Sequence, residues 1–424
     1  MSIKEFFKTK VFYSAKNLIV SYDPKEDQNP AVGNAYSGFN NPSIGKIDKL
    51  EYIKFGEDDK MDMVFDSLLN KSATHSGIIA KKAKMVTGNE LIVDGYESLG
   101  KSEQAAWKAF EKRCGGSNGK SLYNVMKRAA YEYEKSGAFG LDITYDKGFS
   151  SIISIKLVPA SKLRAGIPDI KTGEITYYVY RRGGFKRRNG QLAATEEKIA
   201  AFDTLNVKDL RQLLYVVNPL SNNDYYGLPN YLAAYYFIAA DFEFGKHILN
   251  SAKNGFTPKV LATFIGRNMS TDEKRDEAKK FKANFTGSSG DQVIVSWVKK
   301  EEDAPKFTTL DIQNLDKMIS VMSNLDDAKI LTAHNVTSPT LFGIMVAGKL
   351  GGTGNELGTA YQLFRATETL PNRAVLLEAF NDIISRTKYA DKITLEIKDI
   401  EIEFGTKTTG SEDEVKEQPK DKNK

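Results

Sequence analysis

A chain of 424 residues exceeds what one hydrophobic core usually organises, so two or three structural regions are expected. Hydrophobic residues at 41% and charged residues at 27% are ordinary for a globular fold, and a net charge of +5 is mild for a domain that grips duplex DNA by charge alone. The single Cys114 excludes an internal disulfide framework and a multi-cysteine zinc site, and three scattered histidines (His75, His247, His334) read as surface or packing residues, giving a metal centre or a catalytic triad little footing.

The first residues, Met1 to Lys8, contain no long apolar core and no cleavage site, and no window approaches the ~18 apolar residues that span a bilayer. A soluble protein made in a cytoplasm, without a membrane partner, is the expectation. Residues 1–60 are rich in Asn, Pro, Gly and Lys and read as an irregular arm. From Met61 to Val86 apolar residues fall at helical spacing (Met63, Val64, Leu68, Leu69, Ile78, Ile79), which predicts one or two helices. Residues 103–113 and 120–136 are amphipathic helix candidates separated by the turn Cys114 to Gly119.

The period then changes to two. Leu141–Tyr145, Ser151–Leu157, Ile175–Tyr180 and Ile199–Phe202 read as short strands with Gly, Pro, Asp and Asn turns between them. Such close spacing favours an antiparallel meander, because parallel pairing needs longer crossovers. Leu213–Val217 is a further strand. After the turn ending Tyr226-Gly-Leu-Pro229 comes a long apolar helix from about Tyr231 to Asn250. Its start is apolar nearly all round, so it is buried either in the chain's own core or between sister copies.

Gly255-Phe-Thr-Pro258 breaks that helix. Strand, helix and strand follow over residues 259–300, the helix opening with the capping box Ser270-Thr-Asp-Glu273. A helix from Asp311 to about His334 leads to a glycine-rich loop, Gly343 to Gly358, and a helix from Ala360 to Arg386 that Pro371 should kink or break. Ile393–Lys398 and Ile400–Phe404 alternate as final strands, and the polar tail from Gly405 is expected to be disordered.

Gly95-Tyr-Glu-Ser-Leu-Gly-Lys-Ser102 satisfies the phosphate-loop pattern in full, with Leu91-Ile-Val93 as a possible preceding strand. In that reading Lys101 reaches phosphate oxygens and Ser102 holds magnesium. Against it, a nucleotide-binding core continues as alternating strands and helices on a parallel sheet. Here two helices lead into close-set strands, and Ile199-Ala-Ala-Phe-Asp203 is the nearest thing to a magnesium-binding strand end. The alternative is a glycine turn followed by a helix that Ser102 caps. A second basic feature, Arg181-Arg-Gly-Gly-Phe-Lys-Arg-Arg188, is a hairpin tip. Its Arg181, Arg182, Lys186, Arg187 and Arg188 are candidates for nucleic-acid phosphate contact, or form a solvated loop.

The block from Leu213 to Pro258, taken with Leu310 to Arg386, resembles the portal proteins of tailed bacteriophages. So do the glycine-led strand at Gly140 with Val158-Pro159 beyond it, the run Asn218-Pro219 to Pro229, and the exit Asn254-Gly-Phe-Thr-Pro258. Val336-Thr-Ser-Pro339 departs from relatives that often place the valine and proline side by side. The resemblance implies an α+β portal fold: an N-terminal arm (1–60), a first wing part (61–227), a stem helix (228–255), a clip (256–305), a second stem helix (306–336), a tunnel loop (337–358), a kinked helix with the last wing strands (359–404) and a tail (405–424).

It further implies a non-enzymatic protein without cofactor or metal that forms a cyclic homo-oligomer, a dodecamer in mature relatives, at one capsid vertex of the virion after assembly in the host cytoplasm. Its partners would be non-specifically bound double-stranded DNA, the terminase large subunit, a head-tail adaptor or connector, and the major capsid or scaffolding protein. The channel would be lined by Gly343, Gly348, Lys349, Gly351, Gly352, Gly354 and Asn355, the glycines giving the small side chains that let DNA slide and Lys349, repeated around a ring, a weak positive collar. The subunit interface would lie along Tyr231, Tyr235, Tyr236, Phe237, Ile238 and Phe242. A phosphate-loop NTPase built on Gly95–Ser102, or another ring-forming phage structural protein, stands as the alternative.

Overall fold

The computed structural model describes residues 44–47, 50–116, 121–149, 151–181, 196–203, 208–218, 225–253, 260–265, 270–276, 279, 293–298, 300, 315–344 and 354–401. Residues 1–43 of the expected irregular arm lie outside the described residues; within its remainder β1 (Ile44–Ile47) and β2 (Leu50–Ile53) pair as an antiparallel hairpin. Long-range contacts that the local sequence does not announce hold it. The Tyr177 hydroxyl donates to the Glu51 carbonyl (2.8 Å), and Tyr52 bridges to Gly166.

The expected pair of helices follows as α1 (Met61–Leu69) and α2 (Ala73–Thr87). Ser72 caps α2 by accepting the His75 amide (3.0 Å), and Gly88, at φ +60°, ends it. After β3 (Glu90–Asp94) come α3 (Lys101–Arg113) and α4 (Leu122–Ser136), as their periodicity predicts. On α4 the residues Leu122, Val125, Met126, Ala129, Ala130 and Tyr133 form one buried stripe.

Six strands then make one sheet: β4 (Ala138–Tyr145), β5 (Ile152–Val158), β6 (Leu163–Ala165), β7 (Tyr177–Arg181), β8 (Glu196–Ala201) and β9 (Arg211–Val217), in the order β5-β4-β9-β8-β7-β6. The meander expectation fails at two places, since the consecutive strands β5 and β6 stand at opposite edges and β9 leaves the sequence order. β9 inserts between β4 and β8, and it meets β8 in a short parallel ladder at Ala200↔Gln212 and Ala201↔Leu213. The sheet also curls. Its edge strands β5 and β6 are joined by residues 159–162 alone, a link spanning at most ~18 Å, whereas five strand spacings of a flat sheet cover ~24 Å. Val158, Leu163, Ile199 and Leu213, from four different strands, accordingly pack into one cluster.

A 3₁₀ turn (Asn230–Ala234) leads into α5 (Tyr235–Lys253). β10 (Val260–Ile265) and β11 (Val293–Val298) pair in parallel, and between them Ser270 and Glu273 form the expected capping box, with mutual contacts of 2.8 and 3.3 Å. α6 (Leu315–Ala333) packs beside α5. A 3₁₀ turn (Pro339–Phe342) precedes α7 (Gly354–Phe364), so Gly354 and Asn355 stand in a helix and not in the glycine-rich loop. A π-turn (Arg365–Thr369) joins α7 to α8 (Leu370–Ile384). Proline at 371 cannot bond to the carbonyl four residues back, and the wider turn ahead of it accommodates that loss. The last strand, β12 (Thr394–Lys398), pairs antiparallel with β3; residues 402–404 of the second expected final strand lie outside the described residues.

Two main cores result. One lies under α3, α4, α8, β4, β5 and β12 and includes Trp107, Phe139 and Phe380. The other joins α1 and α2 to the roots of α5 and α6 through Phe65, Ile79, Tyr231, Ile238 and Ile330, and Tyr131 packs against both. The chain crosses itself where these regions meet. Gly137 (φ +68°) ends α4 against the backbone of Leu228, and a Cβ on Gly227 would stand 1.9 Å from the Gly137 carbonyl oxygen. Only glycine fits at either position.

Candidate functional site

α5 and α6 form a two-helix arm rooted in the body. At the root, Tyr231, Leu232, Tyr235 and Ile238 before and within α5, and Ile330 and Leu331 in α6, are buried in the chain's own core. Farther out the surroundings reverse. From Gly245 to Leu249 every residue of α5 is exposed, and Ile248 and Leu249 remain 58% and 53% accessible. On α6, Val321 and Leu325 do likewise at 66% and 51%. Several large apolar side chains left exposed on one arm mark a candidate contact site.

This division corrects part of the expected subunit interface. Tyr231, Tyr235 and Ile238 serve the chain's own core, because the helix start is enclosed by α1, α2 and the end of α6. Tyr236, 71% exposed, and Phe242 face outward, and Phe237 is partly covered.

The root also holds buried charge. Lys82 Nζ lies 3.2 Å from Glu134 and 2.9 Å from Glu368. Burial alone would lower the lysine pKa, but the two carboxylates outweigh it and the net shift is upward. Asn372 donates to Glu134 (2.7 Å) and Asn335 to Glu368 (3.0 Å), so α2, α4, the end of α6, the π-turn and α8 meet in one network. Nearby, His75 Nδ1 and His334 Nε2 are 2.9 Å apart and Tyr231 packs on both rings. These histidines were read separately from the sequence, and the fold brings them together. A second buried centre, Arg164 with Asp59 (2.5 Å) and Asp62 (3.0 Å), fastens the start of α1 to β6.

Of the expected channel residues, Gly343 is described. It sits at φ +71° behind the 3₁₀ turn, with the Lys81 ammonium close by. Gly348, Lys349, Gly351 and Gly352 lie outside the described residues. At the basic tip, Arg181 is not available to DNA. It is 3% exposed and pairs with Glu196 (3.3 Å) across the β7–β8 ladder. Arg182, Lys186, Arg187 and Arg188 lie outside the described residues.

The phosphate-loop pattern folds as a different object. Gly95, at φ +82°, turns the chain after β3, and its carbonyl accepts the Ser98 hydroxyl (2.6 Å). At the start of α3 the Glu103 carboxylate accepts the Gly100 amide (3.2 Å) and the Lys392 ammonium (2.7 Å). Lys392 and that amide hold the carboxyl below its ordinary range. An acidic side chain therefore occupies the helix N-terminus where a phosphate would bind. The strand ahead belongs to a two-stranded antiparallel sheet.

Among the described residues no group of three or more His, Cys, Asp or Glu is placed to hold a metal ion, and no helix is long and apolar enough to cross a membrane. Burial raises the Cys114 thiol to about 12, so it is a packing residue.

No family model matches the sequence, and no curated protein matches it. Solved structures do resemble the fold. One is a chain in the virion of a native gene transfer agent particle, at a TM-score of 0.51 and 13% identity, covering 86% of this chain and 88% of the other. Another stands in the neck of an empty gene transfer agent particle computed with C6 symmetry, at 0.50 and 14%, covering 87% and 88%. An HK97-family phage portal protein from Corynebacterium diphtheriae is similar at 0.43 and 10%, covering 78% and 94%. The shared fold is α+β, of the kind found in chains of such particles.

Proposed function

We propose that this chain is the portal of a tailed-phage-like particle, a ring subunit that acts without catalysis. The observation that carries the reading is the arm: α5 and α6 bury their roots in the body, yet leave Tyr236 exposed at the root and Ile248, Leu249, Val321 and Leu325 exposed farther out. Sister copies packed head to tail would cover those side chains, and a closed ring needs two complementary faces of this sort. In this assignment residues 61–227 and 359–404 form the wing, 228–255 and 306–336 the stem, 256–305 the clip and 337–358 the tunnel loop. The N-terminal arm covers 1–60 and the tail 405–424.

The ring, a dodecamer in the mature particle, occupies one capsid vertex of the virion beside the major capsid or scaffolding protein and passes double-stranded DNA without reading its sequence. The clip docks the terminase large subunit during packaging and a head-tail adaptor afterwards. The parallel pair β10–β11 falls within the segment assigned to the clip. The nucleotide-binding alternative loses its support where Glu103 fills the helix N-terminus.

Mass measurement by analytical ultracentrifugation with negative-stain imaging tests the reading. Rings with a central hole are expected; a compact single copy at every concentration overturns it.

A further inference from the structure

His75 on α2 and His334 after the last turn of α6 meet in the interior, with His75 Nδ1 and His334 Nε2 2.9 Å apart. Facing imidazole nitrogens at that distance share a single proton, one ring donating and the other accepting. Both residues are buried. Tyr231 closes the site with its ring 4.4 Å from His75 and 5.1 Å from His334, and its hydroxyl donates to the Lys135 carbonyl (2.5 Å). His75 Nε2 has no hydrogen-bond partner among the described residues, so a proton added there creates a charge with nothing to receive it.

The nearby carboxylates are already engaged. Lys82 and Asn372 hold Glu134, Lys82 and Asn335 hold Glu368, and Lys135 holds Glu132 and Asp66. On α6, Asp327 accepts the Thr74 hydroxyl (2.9 Å). Asp326 lies near Asp241 and Asp327; burial first and then those two carboxylates raise its pKa, so acid relieves strain there. Burial lowers His75 to about 4; His334 falls well below its ordinary value through burial, then through His75 and Lys82.

We propose that the His75–His334 pair is an acid-sensitive latch at the root of the helical arm. When both rings take up protons the facing nitrogens become two donors, the shared hydrogen bond is lost, and α6 separates from α2. The sign follows from linkage. Both rings titrate lower in the fold than in the unfolded chain, so the latch is intact above about pH 6.5 and weakens as the pH falls toward about 4. The idea goes beyond the portal reading and does not depend on ring formation, since every group in it belongs to one chain.

Hydrogen exchange of the full-length protein, corrected for intrinsic rates, tests it through the amides of residues 326–334. Between about pH 7 and about pH 4 their exchange should quicken by about tenfold or more in the natural protein. It should change less than about twofold in H75N/H334Q, whose amides stand in for the two facing nitrogens without taking up protons. A flat response in the natural protein, or an equal rise in the variant, overturns the latch. If the variant fails to fold, deuterium exchange at each imidazole C2 position still decides in the natural protein. His75 and His334 should both titrate well below the ordinary imidazole range, and titration within that range overturns the proposal.

Discussion

The rooted and outer halves of α5 and α6 use similar residues in opposite surroundings. Near the body, Tyr235, Ile238 and Ile330 vanish into a core that also receives Phe65 and Ile79. Farther out, Ile248, Leu249, Val321 and Leu325 remain open to solvent although they are equally apolar. Helical periodicity cannot tell these halves apart, since both satisfy it. What distinguishes them is whether the chain itself supplies the covering surface, and only the first half has α1 and α2 beside it.

Perturbing each half separately tests that division. The largest effect is expected from Lys82→Met at the root. It leaves Glu134 and Glu368 buried against each other, and denaturant titration should report a loss of about 3–5 kcal/mol. Ile238→Ala empties a fully buried site and should lose about 3 kcal/mol by the same measurement. Ile248→Ala on the outer half should change the stability of the dissociated chain by less than about 0.5 kcal/mol, yet shift the sedimentation profile away from large assemblies. An equal loss of stability from both isoleucine variants would erase the distinction between the halves. The smallest effect belongs to Glu103→Gln, which should lower the melting temperature slightly, with no magnesium-ATP binding detectable by calorimetry before or after.

Much of the architecture could be read from the chain because its signals are local. The paired helices before Thr87, the stripe on α4, the capping box at Ser270 and the irregular turn ahead of Pro371 each depend on residues within a turn or two of one another. The β1–β2 hairpin escaped notice because its anchors, Tyr177 and Gly166, lie more than a hundred positions away. The placement of β9 between β4 and β8 was hidden for the opposite reason: closely spaced strands suggest a meander, and nothing local shows that one will insert elsewhere.

The site was less legible than the fold. Burial is a tertiary quantity, so a run such as Tyr231 to Phe242 could be assigned to an interface without revealing that its first residues are spoken for. The histidine pair had no sequence signal, as 259 positions separate its members. The phosphate-loop pattern shows the reverse problem, a complete local signal whose meaning Lys392 overrides from the other end of the chain.

Gly137 and Gly227 touch backbone to backbone where the sheet begins and the arm departs. That crossing works as a rivet. A single added methyl group at either glycine would meet backbone at less than 3 Å and force the two segments apart at the base of the arm.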